Sequence, residues 1–232
     1  MLGALAYAGA TSVATILGGL LPLHPRLREI ELRYLVAFAS GFLVSIAFFN
    51  MIPAMEPERA IPLALGFFSI YFIEKLVMIH ACGERECEGH TVGWVAMIGV
   101  AVESLIDGLA IGTGYAVAPP LGALIALAII VHELPRGFTT TVIMRQSKYG
   151  ARAIAAALAI DAGFTPLGAL ASGLFPAGLM KPLMGFTAGA FLYVGASDLL
   201  PEAHRRFNLQ VVLLVLAGAG LVPLLDFVLG GL

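Results

Sequence analysis

Eight apolar stretches, each about 20 residues long, take up almost the whole chain. A helix needs about 20 mostly apolar residues to cross the hydrocarbon core of a bilayer. With 59% apolar and 12% charged residues, the chain has too few polar side chains to cover a water-soluble domain of this length. The stretches lie at 3–23, 34–53, 60–80, 92–117, 121–144, 151–174, 182–203 and 208–230.

These stretches, numbered spans 1 to 8, predict an all-α integral membrane protein with a single transmembrane domain over residues 1–232. Span 1 lacks the basic segment that begins a signal peptide, so we interpret it as a span. Most of the protein surface is then expected to contact the lipid bilayer. The net charge of −2 excludes a nucleic-acid-binding protein, which would carry a basic excess.

Basic residues outside the bilayer fall almost entirely on one predicted side. Ten lie in or next to the connections that follow spans 1, 3, 5 and 7, whereas only Arg59 and Lys181 lie on the other side. Because cytoplasmic loops are rich in lysine and arginine, both termini are predicted to face away from the cytoplasm. The ten residues are Arg26, Arg28, Arg33, Lys75, Arg85, Arg145, Lys148, Arg152, Arg205 and Arg206.

Two pairs of spans contain matching residues. Residues 39–53 of span 2 match residues 187–201 of span 7, and residues 102–108 of span 4 match residues 131–137 of span 5. The members of each pair run in opposite directions, which is typical of transporters that bind their substrate near the midplane. We therefore expect an eight-helix bundle in which spans 1–3 and 6–8 are inverted repeats around spans 4 and 5. The alternative is a chance match between short strings of small apolar residues.

Spans 4 and 5 carry ionisable residues near the middle of the bilayer, where a charge has its highest free-energy cost. A charge at the centre of a bilayer costs roughly 2.5–3.5 kcal/mol on insertion scales, so such residues need partners. Glu103 and Asp107 in span 4 are four residues apart and share a helix face. His132 and Arg136 in span 5 have the same spacing, and Glu133 follows His132.

Imidazole and carboxylate groups together are typical ligands of divalent transition metals such as Zn²⁺. A bound ion would offset the desolvation of the carboxylates, with His132 as the nitrogen ligand. Pro135 predicts a helix break that leaves the carbonyl of Val131 free. The alternative is an ion-pair network in which Arg136 neutralises the carboxylates and holds spans 4 and 5 together.

These segments resemble the ZIP (Zrt/Irt-like) family of divalent-metal transporters. VESLIDGLAIG at 102–112 and VHELPRGF at 131–138 look like the two metal motifs of that family, and spans 2, 6 and 7 fit it as well. The resemblance covers essentially the whole chain. It implies eight spans, outward-facing termini, and movement of the ion into the cytosol through a site between spans 4 and 5.

The family's first metal site carries over position by position, with two changes. Its histidine in span 4 falls on Glu103 and its asparagine on Ser104, while the acidic residue one turn later is kept as Asp107. Its histidine and following acid in span 5 are His132 and Glu133. The resemblance therefore implies one metal site built from these five residues.

The family's second metal site is altered in this sequence. The next ligand of span 5, usually histidine or glutamate, falls on Arg136, and a glutamate of span 6 falls on Thr165. We hypothesise that Arg136 takes the place of the second metal. Asp161 in span 6 either pairs with Arg136 or lies in water near the cytosolic side.

Other polar residues are candidates for peripheral roles. Residues 80–91 form a predicted cytosolic Cys/His loop, which is either a site that captures metal or a solvated turn, and a disulfide is not expected there. Its candidate ligands are His80, Cys82, Cys87 and His90. Along the transport pathway, the candidates that receive or release the ion are Asn50, Asp198, Glu202 and His204.

The leading hypothesis is a divalent-metal transporter of the cell membrane. Zn²⁺ is the expected substrate, with Cd²⁺, Fe²⁺ and Mn²⁺ as alternatives, and no cofactor is expected. A membrane metal sensor without flux is the second hypothesis. An intramembrane metalloenzyme is the weakest, because the H-E-x-x-H pattern that begins at His132 has Arg136 at its last position. A homodimer could form through Gly185 and Gly189, although such small-residue faces serve packing within a chain equally well.

Overall fold

In the computed structural model, residues 2–24, 32–55, 60–82, 92–205 and 208–228 are described. These residues form eight long helical elements, which confirms the predicted all-α fold. All eight are long and apolar enough to cross a membrane. The elements are α1 (Leu2–Leu20), α2 (Arg33–Ala54), α3 (Ala60–Cys82), α4 (Val92–Val117), α5 (Pro119–Gln146), α6 (Ala151–Ser172), α7 (Ala177–Ala203) and α8 (Leu209–Val228).

The eight helices divide into central and peripheral ones. In the most apolar stretches of α2 and α5, 67% of the residues are buried, whereas the corresponding fractions are 11% in α3 and 17% in α8. Large apolar side chains such as Phe68 and Phe227 are exposed on these outer helices. A surface of this kind fits a lipid environment, in which exposed apolar groups are not penalised.

The helices pack as two groups of four. The first group contains α1, α4, α5 and α6, with its closest contacts between α1 and α5 and between α4 and α6. The second group contains α2, α3, α7 and α8, with its closest contacts between α2 and α8 and between α3 and α7. The groups meet through α2 with α5, α3 with α4, and α4 with α7.

Reciprocal glycine contacts set the distance within each of the four closest helix pairs. A methyl group added at any of these glycines would overlap the backbone of the facing helix. Small residues of this kind let membrane helices approach closely and gain van der Waals contact. The pairs are Gly18 with Gly137, Gly108 with Gly168, Gly41 with Gly218, and Gly66 with Gly189. Gly189 and Gly185 both face α3 or the residues just before it, so this small-residue face serves packing within the chain.

The matching segments of spans 2 and 7 have the same local backbone. Each begins as an α-helix, widens into a π-helical segment at Ala47–Met51 or Val194–Leu199, and resumes as a short α-helix with proline at its second position. Proline removes one helical hydrogen bond and crowds the carbonyl four residues earlier, which lies in the π segment in both cases. Asn50 and Asp198 occupy equivalent places in the two segments.

The helix break predicted at Pro135 is wrong, because α5 runs unbroken from Pro119 to Gln146. Proline is tolerated in a membrane helix when neighbouring groups accommodate the missing hydrogen bond. α6 and α8 likewise continue through Pro166 and Pro223.

Candidate metal centre

A very short connection brings the polar faces of α4 and α5 together. Only Ala118 separates the two helices, and α5 begins with Pro119, where the missing amide hydrogen would have had no helical partner. Gly114 and Gly122 face each other beside this turn. The two helices therefore run antiparallel in close contact, with their polar residues near the middle of each.

On one side of the cluster, the guanidinium of Arg136 contacts the predicted first metal ligands. Its Nη1 donates to Oδ2 of Asp107 (2.8 Å) and to Nε2 of His132 (3.1 Å), and it lies 3.7 Å from Oε1 of Glu103. Because guanidinium nitrogens only donate, Nε2 of His132 accepts and the proton of the neutral ring is on Nδ1. The lone pair of His132 therefore points at the guanidinium, and carboxylate oxygens of Glu103 and Asp107 lie 3.7 and 4.0 Å from Nε2.

On the other side, the second terminal nitrogen of Arg136 contacts residues of three helices. Nη2 donates to Oγ of Ser104 (2.8 Å) and to the carboxylate of Glu133, and it lies 3.4 Å from Oδ1 of Asp161. Asp161 is fully buried, so it pairs with Arg136 and is not solvated. The predicted ion-pair network is thus present and contains a residue from α6.

Hydroxyl groups complete this inner side of the cluster. Ser104 donates to Oδ1 of Asp161 (2.8 Å), and Thr140 donates to its Oδ2 (3.2 Å). Thr15 of α1 donates to Glu133. The carboxylates of Glu133 and Asp161 are therefore held by neutral donors as well as by Arg136, which fixes their orientation in a buried site.

The cluster contains more negative than positive groups. Four carboxylates, those of Glu103, Asp107, Glu133 and Asp161, surround one guanidinium. Glu133 and Asp161 are fully buried, and only Glu103, with 22% of its side chain exposed, reaches the edge. Buried charges without partners are costly, so this arrangement favours binding of a further cation.

Three residues have the geometry of a metal-binding group. Asp107, His132 and Glu133 each offer one ligand atom, and these atoms lie within 4.8 Å of one another. Glu103 adds a carboxylate oxygen 3.7 Å from Nε2 of His132. Oxygen and nitrogen donors in this combination suit Zn²⁺ and other divalent transition metals.

A cavity of about 870 Å³ leads from this cluster to one end of the molecule. Glu103, His132 and Arg136 line its inner part, and Asp198 and Glu202 of α7 line it further along. Arg33 and Arg205 lie at the ends of α2 and α7 that border the same cavity. The cluster is therefore reachable from the end of the bundle where α2 begins and α7 finishes.

The structure places two predicted residues, Asn50 and His204, away from the cluster. Asn50 donates through Nδ2 to both carboxylate oxygens of Asp226 (3.0 and 3.1 Å), which joins α2 to α8. His204 donates through Nδ1 to the carbonyl of Leu200 (2.9 Å) in its own helix. Thr165, by contrast, is fully buried with its carbonyl packed against Gly108, the residue after Asp107, and its hydroxyl has no hydrogen-bond partner among the described residues.

Two residues of the cluster were missed by the sequence analysis. Thr15 and Thr140 are single hydroxyl residues, and such residues carry little cost in a membrane helix, so they give no signal comparable to a buried charge. Their neighbours Thr11 and Thr141 indicate only that these faces are polar. The side chains of the loop candidates His80, Cys82, Cys87 and His90 lie outside the described residues.

Comparison with known proteins matches this chain to zinc transporters. Mouse (Mus musculus) zinc transporter ZIP5 is 32% identical over 148 residues, which cover 62% of this chain and 28% of that protein. Zinc transporter ZIP13 of Pongo abelii is 24% identical over 219 residues, which cover 81% of this chain and 65% of that protein. The Drosophila melanogaster ZIP13 homolog is 28% identical over 151 residues, or 61% of this chain and 42% of that protein.

The chain therefore spans less than two thirds of the length of these relatives, whose names describe transporters and not enzymes. The family model described as ZIP Zinc transporter matches residues 80–226, which is more than half of the chain and includes both motifs of the cluster. The predicted resemblance is confirmed: this multi-pass membrane protein belongs to the ZIP zinc transporter family.

Proposed function

We propose that this chain carries a divalent transition-metal ion, with Zn²⁺ as its main substrate, through the cluster between α4 and α5. The observation that supports this most strongly is the group formed by Glu103, Asp107, His132 and Glu133 at mid-helix, beside a cavity that leads out of the bundle. A buried site with excess carboxylate groups attracts a cation, and the cavity gives the ion a path. Zn²⁺ is cargo here and not a cofactor.

The charge distribution supports movement into the cytosol across the cell membrane. Arg33 and Arg205 border the cavity and belong to the basic side that the sequence assigns to the cytoplasm. Asp198 and Glu202 then lie on the path of release. At the opposite end of α2, the carboxylate of Asp226 beside Asn50 would receive the ion on the side of the termini.

The packing supports an inverted repeat of spans 1–3 and 6–8. The α1–α5 glycine contact corresponds to the α6–α4 contact, and the α2–α8 contact corresponds to the α7–α3 contact. Gly137 and Gly108 are separated by the same offset as the two matching motifs of α5 and α4. Repeats of this kind place the substrate at their interface, near the midplane of the bilayer.

Arg136 supports a site with one metal ion. Its Nη2 lies among Ser104, Glu133 and Asp161, where it supplies the positive charge that a second ion would otherwise supply. One ion per chain is therefore expected in purified protein, measured by inductively coupled plasma mass spectrometry. Two tightly bound ions per chain would contradict this assignment.

The transport proposal is tested by Zn²⁺ flux into sealed proteoliposomes. Asp107→Ala and His132→Ala are each expected to abolish saturable flux, because each removes a ligand of the ion. Leu216→Ala, on the exposed face of α8, is the control and is expected to transport like the unmodified protein. Zn²⁺ binding without flux in the unmodified protein would favour a metal sensor, and flux that survives both ligand substitutions would exclude this site.

A further inference from the structure

The two terminal nitrogens of Arg136 lie where the side chains of the cluster converge, with Nη1 on one side and Nη2 on the other. Nη1 lies 2.8 Å from Asp107 and 3.1 Å from Nε2 of His132, and these are the atoms that would bind the transported ion. A Zn²⁺ ion needs the same lone pairs at about 2.0–2.2 Å. The ion and Nη1 therefore cannot occupy this position at the same time.

We infer that Arg136 is a tethered competitor of the transported metal. The ion binds only when the guanidinium leaves Asp107 and His132, and the guanidinium returns when the ion departs. This inference rests on the proposed function, because it concerns the same site. The earlier hypothesis was that Arg136 takes the place of a second metal ion. The present inference adds that Arg136 directly lowers the affinity for the transported ion.

The contacts of Arg136 allow this movement. Four of its five N–H groups are directed at Asp107, His132, Ser104 and Glu133, but Nε has no hydrogen-bond partner among the described residues. The guanidinium is thus held only at its tip. An arginine side chain is long and flexible, so its tip can move while the backbone of α5 stays in place.

The cavity offers the displaced guanidinium a place to go. Arg136 itself lines the cavity, together with the carboxylates of Glu103, Asp198 and Glu202. Movement toward these groups keeps the positive charge close to carboxylates, which limits the cost of the exchange. The buried cluster then always contains or adjoins a cation, whether or not metal is bound.

Competition by Arg136 predicts that removing the guanidinium strengthens metal binding. The purified full chain in detergent is titrated with Zn²⁺, and affinity and stoichiometry are measured by calorimetry. Arg136→Met is expected to bind Zn²⁺ at least about tenfold more tightly, since close charged contacts at buried sites have effects of this size. Free guanidinium ion at millimolar concentration is expected to weaken Zn²⁺ binding in Arg136→Ala and not in the unmodified protein.

A second measurement needs no variant at Arg136. Phenylglyoxal reacts with accessible guanidinium groups, so saturating Zn²⁺ is expected to increase modification of Arg136 several-fold, as read by mass spectrometry of peptides. Arg145, which donates to the carbonyl of Pro22 away from the cluster, is the internal control.

The outcomes separate the two proposals. The first case is that the unmodified protein binds and transports Zn²⁺, but Arg136→Met binds Zn²⁺ no more tightly and Zn²⁺ does not increase the labelling of Arg136. The inference of competition is then wrong, while the proposed transport site is retained. If the unmodified protein binds no Zn²⁺ and none of the Arg136 variants does, the metal site itself is wrong and the inference fails with it. If Arg136→Met does not fold, the labelling result alone decides the inference.

Discussion

The two groups of four helices are packed in the same way but have different interiors. Each group is held by two reciprocal glycine contacts between parallel helices. In the first group, buried polar side chains bond to one another around Arg136. In the second group, the buried hydroxyls of Ser40 and Ser45 donate to backbone carbonyls of α7 and α8. The packing of the helices is thus separable from the chemistry of the site, and matched substitutions in the two groups test this separation.

The largest effect is expected from overfilling the glycine contacts, and it should be the same in both groups. Gly108→Leu and Gly41→Leu each force a side chain into the backbone of a facing helix, so both are expected to abolish folded protein. Gly163→Leu is the control, because a methyl group added there would meet no atom of a facing helix within 4 Å among the described residues. Size-exclusion chromatography in detergent measures the folded fraction. A second group that tolerates Gly41→Leu would show that the two groups are not packed alike.

An intermediate effect is expected from neutralising one aspartate in each group. Asp161→Asn removes one of the four carboxylates around Arg136, so the cluster has less excess negative charge with which to attract a divalent cation. Zn²⁺ affinity is expected to fall about tenfold, the size of effect typical of close charge pairs.

Asp226→Asn makes the same chemical change in the second group and is the matched comparison. It lies beside Asn50, away from the cluster, so the calorimetric Zn²⁺ affinity should change little while flux falls a few-fold. Equal losses of affinity in the two variants would mean that the cluster is not confined to the first group.

The smallest effect is expected from removing one hydroxyl in each group. Thr15→Val leaves an oxygen of Glu133 without its donor in a buried site and is expected to cost about 1–3 kcal/mol of stability together with a few-fold loss of Zn²⁺ affinity. Ser45→Ala removes the donor to the carbonyl of Ala219, which has no usual helical partner because Pro223 lacks an N–H, and is expected to cost about 1–3 kcal/mol of stability without changing Zn²⁺ affinity. Thermal unfolding in detergent and Zn²⁺ titration measure both. An affinity loss in Ser45→Ala would contradict the separation of packing from chemistry.

The helical spans and the main polar residues of the site were predictable from the sequence because both signals are local. About 20 apolar residues specify a membrane helix whatever surrounds them. Glu103 and Asp107 share a helix face by their spacing alone, as do His132 and Arg136. Pro135 shows the limit of local rules, since the surrounding helices keep α5 unbroken at a residue that would interrupt an isolated helix.

The sequence by itself determined the long apolar helices, the predicted side of the basic residues, and the ionisable residues placed at mid-helix. Only the tertiary structure decided that Asp161 and Thr15 join the cluster, that Asn50 pairs with Asp226 instead, and that the two terminal nitrogens of Arg136 face different ligand groups. The physical reason is that hydropathy and helical spacing act within one helix. Contacts at 2.8–3.4 Å around Arg136 depend on how neighbouring helices are rotated and how closely their glycines let them approach.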